Sequence, residues 1–531
     1  MGLLNVLPWL AVNAPGYARF RAVLSQPAKI QQSILFGYLR ENAGTAFGRT
    51  RGFSAIRAIE EFQERVPLSE WEDVAPWVDR IAAGEPGVLT RAPVRALEPT
   101  SGSSSAAKRI PYTAAMQREI RRAVAPWVFD LYRRRPGLAR GCAYWSITPV
   151  ALEEEQEASA VRVGFEEDSE YLGGFWSRLV DSTLAVPGAV RRARDVETFR
   201  YTTLLYLLRR ADLTVISVWH PSFLTLLVDA LPRHWKNLLK DVERGTTTVA
   251  GTLAPLPRRA AELKRVHPEE TTRIWPRLGL ISCWGDGHAA LHFPELARRF
   301  PGVEIQPKGL LATEAFVTIP FEGRAPLAVR SHFFEFISEG AEGERPRLAH
   351  EVEPGGVYSV VVTTGGGLYR YRLGDRVEVT GFVERTPSLR FLGREGHTSD
   401  LRGEKLHESF VAGALERVFH RMGAVPRFAL LAPEVPADPA AAPGYTLYLE
   451  IENPIPGLAE ALEEELAANP HYRACVALGQ LAPVKTFLIH GDAFALYLRR
   501  HRERGQRMGD VKPLALSVLS GWSAVFSRKP D

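Results

Sequence analysis

The change of rhythm in its apolar residues constrains this chain more than any other feature. Short apolar runs alternate with helical stretches: 214–218 (TVISV) reads as a buried strand followed by a helix over 221–231, and 278–283 (LGLISC) is another strand. Strands alternating with helices imply parallel sheet layered with helices. From 357 to 391 the strands VYSVVVTT, YRYRL, RVEVTGFV and LRFLG follow one another across Gly-rich turns, a pattern of antiparallel sheet. The first hundred residues carry apolar positions at three- and four-residue intervals over 18–42 and 56–65, as amphipathic helices do. Beyond about 395, helices over 408–421 and 457–468 and strands over 428–431, 445–451 and 484–489 suffice for a separate small α+β domain. The boundary is expected between 391 and 402, giving domains 1–393 and 394–531.

A length of 531 residues exceeds what one hydrophobic core normally serves, so at least two domains are expected. The net charge of +5 is small for 66 basic and 61 acidic residues, and the basic runs 133–135 and 499–504 fall at helix ends rather than among stacking aromatics. Nucleic acid is therefore not an expected partner. Cys142, Cys283 and Cys475 stand far apart without a CxxC pair, which disfavours a disulfide framework and a structural zinc site. No apolar run reaches membrane-spanning length, the N-terminus lacks a cleavable signal, and Val6 occupies the Ser/Thr position of a myristoylation signal. A cytoplasmic monomer without a membrane partner is expected.

Three segments could carry chemistry. In TSGSSSAAK (100–108), Thr100, Ser101, Gly102, Ser103 and Ser104 offer small, hydroxyl-bearing positions through which backbone N–H groups can approach phosphate oxygens, and Lys108 supplies a cation. The expected order is strand 94–97, loop, then a helix capped by Thr113 and running to about 134. The loop is not a Walker A sequence, because Ala107 and Arg109 replace the second Gly and the Ser/Thr, and taken alone it is equally a Ser/Gly linker. In YRYRLGD (369–375), Asp375 ends a strand where its carboxylate could accept both ribose hydroxyls, although Gly-Asp is also an ordinary turn. In LLATE (310–314), Glu314 follows an apolar run and could hold Mg2+ beside phosphates. His288 and His292 have metal-pair spacing, but Ala289 replaces the zincin glutamate and Pro294 interrupts the helix. Trp145, Trp219, His220 and Phe223, at strand-to-helix junctions, either line a pocket for an acyl group or pack the core.

The order and character of these segments resemble one family, the auxin-responsive acyl acid-amido synthetases (Gretchen Hagen type), a branch of the adenylate-forming superfamily that includes firefly luciferase and acyl-CoA ligases. NAPGYARF, ILFGYLRENAGTAFG and VPLSEWEDVAPWVDRIAAGE before the loop, and NPHYRACVALGQL near the end, extend the resemblance over most of the chain. It implies an α/β fold with a large N-terminal domain containing a β-barrel-like part, and a small hinged α+β C-terminal domain. It implies ATP and Mg2+ as cofactors, a small carboxylic acid and an amino acid as substrates, and an acyl-adenylate intermediate. The loop would bind phosphates, Thr313 and Glu314 nucleotide and metal, and Asp375 the ribose. Arg394, in the hinge-like FLGR, and Lys405, in GEKLHE, would contact nucleotide, and Lys512, in GQRMGDVKP, would meet the α-phosphate. Ser105, Ala106, Leu310 and Ala312 depart from the plant pattern and mark a bacterial-type member. Coenzyme A as acceptor, or nucleotide binding without catalysis, are the alternatives.

Overall fold

The computed structural model describes residues 2–100, 108–146, 159–163, 183–193, 195–247, 253–340, 343–396, 398–436, 441–504, 511 and 513–527. The chain divides into two compact units, one of residues 1–284 and 299–391, the other of 285–298 and 392–531. The cut at 391/392 lies at the start of FLGR; the assignment of 285–298 to the second unit has no counterpart in the sequence reading.

In the first unit a four-stranded parallel sheet runs in the order β3 (Cys142–Trp145), β4 (Leu213–Ser217), β5 (Leu280–Cys283), β6 (Glu304–Pro307). Every residue of β5 and all but the last of β4 are buried, as strands covered on both faces require. The second sheet is antiparallel, with β7 (Phe333–Ser338), β8 (Arg347–Leu348), β9 (Val357–Thr363), β10 (Tyr371–Val383) and β11 (Thr386–Arg394) in the spatial order β11-β10-β9-β7-β8. Past β11 the ladder continues through the bridges Ser388–Pro326, Leu327–Thr318 and Leu311–Phe316, which carry the LLATE segment. Phe333, Phe334, Phe336, Val360, Val362 and Tyr371 of this sheet join one core with residues of the N-terminal helices.

Three expectations change. The apolar rhythm over 18–42 is two helices, Gly2–Val23 and Pro27–Asn42, because Pro27 lacks an N–H and opens a new helix at its first position. The Ser/Gly loop does not lead from strand to helix. It joins β1 (Val94–Thr100) to β2 (Lys108–Thr113) in an antiparallel hairpin whose last pair is Thr100 with Lys108. Thr113 then caps the helix Ala114–Arg134, its hydroxyl accepting from Met116 N–H at 3.2 Å, as expected. β2 escaped notice because KRIPYT begins with two cations and contains Pro111. Finally, YRYRL and RVEVTGFV are not separate strands: β10 runs unbroken from Tyr371 to Val383. The helix Ala114–Arg134 packs on Gly2–Val23, where a Cβ at Gly16 would lie 2.6 Å from Ala125 Cβ, so only glycine permits that approach.

The second unit holds β14 (Phe428–Glu434), β15 (Gly444–Glu450) and β16 (Ala482–Leu488), antiparallel then parallel, with β12 (Thr398–Ser399) and β13 (Leu406–His407) pairing separately. Val411, Leu415 and Val418 of the helix Glu408–Met422 share a core with Leu431, Leu447, Leu462 and Leu466. His288 and His292 lie on a 3-10 turn, Gly287–His292, and Pro294 sits in the first turn of the next helix, Phe293–Arg299, which tolerates it. Their rings are 5.2 Å apart, and burial lowers the pKa of His288 to about 4 and of His292 to about 3, so both are neutral imidazoles at neutral pH.

Candidate active site

β2 carries the site's two contacts from the hairpin. At its start, Lys108 donates from Nζ to the Tyr371 hydroxyl at 3.2 Å, with the ammonium 5.8 Å from that ring's centroid. Four residues on, the Tyr112 hydroxyl donates to the Thr313 carbonyl at 2.5 Å. One strand thus ties the end of the Ser/Gly loop both to β10 and to the LLATE turn. Burial first, then the carboxylates of Glu98 and Glu314, push the Tyr112 phenol well above its ordinary pKa, so it stays a donor.

Glu314 is buried at the tip of a turn closed by the bridge Leu311–Phe316 and by Ala312 N–H donating to the Ala315 carbonyl at 2.9 Å. Behind it, His332 links the turn to a buried carboxylate: Phe316 N–H donates to His332 Nε2 at 3.3 Å, and His332 Nδ1 lies 3.0 Å from Glu119 Oε2. Glu119 also accepts from Gly365 N–H at 2.9 Å, fixing the Gly-rich turn after β9 to the helix Ala114–Arg134. A buried carboxylate beside a hydroxyl-bearing neighbour is a donor set that suits a hard divalent cation. Thr313 and Glu314 therefore fit Mg2+ chemically.

Asp375 is buried and lies where β10 bulges: between Arg372, paired with Val361, and Arg376, paired with Ser359, β10 has two residues more than its partner. Gly374 in that bulge has φ +72° with open space where a Cβ would be, so its requirement is conformational rather than steric. The Asp375 carboxylate thus sits on a bulge inside a strand, not at a strand end.

Within YRYRLGD the residue before Tyr371 proves architectural. Arg370, at φ +49°, is buried against buried Glu335, with Nε to Oε2 at 3.0 Å and Nη2 to Oε1 at 2.9 Å, and donates from Nη1 to the carbonyls of Gln63 at 2.6 Å and Val66 at 2.7 Å. Its own carbonyl accepts from Ser69 N–H at 3.0 Å, and Arg372 N–H donates to the Ser69 carbonyl at 2.9 Å. This clamp holds β10 to the N-terminal segment and so places Tyr371 and Asp375. Tyr112, Glu119, His332 and Glu335 had no signal in the sequence, since each acts through a partner outside any local window, 35 positions away for Glu335 and Arg370 and more than two hundred for the others.

The remaining candidates are placed as follows. Thr100 ends β1 opposite Lys108, whereas Ser101, Gly102, Ser103, Ser104 and Lys512 fall outside the described residues. Arg394 ends β11 in the second unit. Lys405, also in the second unit, is exposed at φ +45° on the link between β12 and β13, beside buried Glu404, which accepts from the N–H groups of Leu401 and Arg402 at 2.7 Å each. The basic runs have structural partners: Arg133 pairs with Asp130 at 2.9 Å, and Arg135 binds Glu304 through its Nε at 2.6 Å. All three cysteines are buried and free.

Known proteins resemble the chain along nearly its whole length. Indole-3-acetic acid-amido synthetase GH3.4 of Arabidopsis thaliana is 24% identical over 555 residues, 95% of this chain and 92% of that protein. Indole-3-acetic acid-amido synthetase GH3.8 of Oryza sativa subsp. indica is 25% identical over 430 residues, 73% of this chain and 70% of that protein. Among solved structures, GH3.15 acyl acid amido synthetase superposes with a TM-score of 0.81 at 21% identity, over 96% of this chain and 95% of the other. The same enzyme in complex with 2,4-DB gives 0.84 at 20% identity, over 97% and 95%. That likeness shows that the chain shares the fold of this acyl acid amido synthetase. Homologues of the chain are thus acyl acid amido synthetases, ligases that form amide bonds. Family models described as the GH3 family N-terminal, central and C-terminal domains match residues 16–305, 325–394 and 414–517 in order, and the chain belongs to the GH3 family.

Proposed function

We propose that this protein is an acyl acid-amido synthetase that uses ATP to activate a small carboxylic acid and joins the acyl group to the amine of an amino acid. In the first half-reaction a carboxylate oxygen bonds to the α-phosphorus while the bond to pyrophosphate breaks. In the second, the amine nitrogen attacks the acyl carbon, AMP leaves with the bonding electron pair, and the nitrogen loses a proton. The observation that carries the proposal is the convergence of Lys108, the Glu314 turn and the Asp375 bulge within one unit, through Tyr371 and Tyr112.

Lys108 and the Ser/Gly loop from Thr100 would grip the phosphates that depart, and Asp375 would accept the ribose hydroxyls. Mg2+, held by Glu314 with Thr313 beside it, would supply charge neutralisation between phosphate oxygens. The first unit would bind ATP and the acid, and the second, after the hinge at Arg394, would bring Lys405 and Lys512 to the nucleotide. The free buried cysteines support a reducing cytoplasmic setting, and no helix among the described residues is long and apolar enough to cross a membrane. The monomeric state belongs to the same proposal.

Pyrophosphate exchange into ATP, run with a panel of aryl and alkyl acids, tests the first half-reaction. Acid-dependent exchange is expected with at least one acid, and product formation with amino acids but not coenzyme A completes the assignment. Absence of exchange with every acid would overturn it, and a thioester product would reassign the acceptor.

A further inference from the structure

Glu314 is buried, yet its carboxylate has no hydrogen-bond or ion-pair partner among the described residues. Where that carboxylate sits therefore depends on how the backbone of its turn is held. Two side chains hold it. Ahead of Glu314, the Thr313 carbonyl accepts from the Tyr112 hydroxyl at 2.5 Å; beyond it, with only Ala315 between, the Phe316 N–H donates to His332 Nε2 at 3.3 Å. Because Nε2 accepts, the ring proton sits on Nδ1, which donates to Glu119 Oε2 at 3.0 Å. His332 and Glu119 are 0% and 2% exposed. The same Glu119 oxygen accepts from Gly365 N–H at 2.9 Å, and the Gly365 carbonyl accepts from the Thr113 hydroxyl at 2.7 Å. A Cβ at Gly365 would stand 2.3 Å from Glu119 Oε1, so the turn that feeds β10 closes directly on this carboxyl group.

Magnesium demands near-octahedral geometry, and a ligand group must be held within about 0.5 Å of its working position by what surrounds it. Groups that orient a metal ligand without touching the metal govern affinity by about 10- to 100-fold. We propose that His332, fixed in its tautomer by Glu119, is the positioning residue for Glu314: by holding the Phe316 N–H it sets where the carboxylate meets the metal of a metal–nucleotide complex. The inference rests on the role proposed above for Glu314 in adenylation. Without the imidazole acceptor the Phe316 N–H must find another partner, and the turn shifts to reach it. Since Glu119 also anchors Gly365, the Glu314 turn and the strand that bears Asp375 share one fixed point.

Titration with the manganese complex of α,β-methylene-ATP, followed by the EPR signal of the metal, reads metal seating without turnover, and calorimetric titration with AMP, which needs no metal, reads the rest of the site. His332→Asn keeps an amide N–H near the place of Nδ1, and with it a donor for Glu119, but is too short to reach Phe316. It should weaken the manganese complex about tenfold or more and leave AMP binding within about twofold. His332→Gln, whose amide oxygen reaches the place of Nε2, should stay within about threefold of the unaltered protein. Should His332→Asn fail to fold, Glu119→Gln with His332→Leu removes charge and ring together while keeping an acceptor for Gly365, and it should show the same selective loss. Undiminished affinity for the manganese complex, an equal loss of AMP binding, or a Gln variant as impaired as the Asn variant would overturn the positioning role. Glu314→Gln tests the metal assignment beneath it: if the manganese complex binds that variant as well as before, Glu314 holds no metal and the inference falls with it. Selective loss in His332→Asn, with no pyrophosphate exchange from any acid in the unaltered protein, would leave the positioning role standing and sink the adenylation proposal. Exchange together with unaltered manganese affinity in His332→Asn would do the reverse.

Discussion

Replacing Arg370 by Met should destabilise the first unit while removing no group that contacts substrate. The guanidinium and its partner Glu335 are 3% and 1% exposed, and two backbone carbonyls, of Gln63 and Val66, also depend on it. Removing one member of such a pair leaves a buried charge without its partner, which costs about 3–5 kcal/mol. The first unit has roughly 380 residues; at about 2.1 cal/mol/K per residue its unfolding entropy is about 0.8 kcal/mol/K, so a loss of about 4 kcal/mol lowers its Tm by about 5 °C. Scanning calorimetry reads the shift. Arg370→Met with Glu335→Leu removes both charges and should recover at least half of it, since an apolar pair of similar volume substitutes well for a buried ion pair. At temperatures where the single variant is folded, acid-dependent exchange should persist. A Tm drop below about 1 °C together with lost exchange would refute the clamp and make Arg370 a substrate contact.

Lys108→Ala should lower kcat/KM for ATP in exchange by about a hundredfold, as loss of a preorganised cation facing phosphate does, whereas Tyr371→Phe, which removes one hydrogen bond to that lysine, should cost less than about tenfold. Gly374→Ala forces a side chain into a left-handed conformation at about 1–2 kcal/mol; it should raise the KM for ATP by displacing Asp375, and Gly374→Asn should be milder, both measured in the same assay. In the second unit, burial raises the pKa of Glu408 from 4.5 to about 7. The folded chain therefore holds this proton more tightly than the unfolded chain, so the associated stability is full below pH 4.5 and is lost as pH rises to 7. The loss is on the order of 3 kcal/mol. Glu408→Gln should flatten the dependence of that unit's Tm between pH 5 and 8, and an unchanged slope would contradict the assignment.

Local pattern sufficed for much of the molecule. The apolar alternation around 214–218 and 278–283 was enough to specify buried parallel strands, and the Thr113 cap and the closely spaced strands after 357 were equally plain, because each signal is carried by neighbours in sequence. Lys108, Glu314 and Asp375 were singled out by the order of three motifs and the family resemblance, since each motif alone was ambiguous. Tertiary structure decided what those residues are attached to. The Ser/Gly loop became a hairpin because Val94–Thr100 found its partner in Lys108–Thr113, a pairing that Pro111 and two leading cations concealed. In the sequence Arg370, between Tyr369 and Tyr371, reads as one of two cations alternating with aromatics. In the fold it is neutralised by Glu335, which comes from 35 positions away, and donates to the carbonyls of Gln63 and Val66. Burial and long-range partners, which no local window contains, make it an architectural cation.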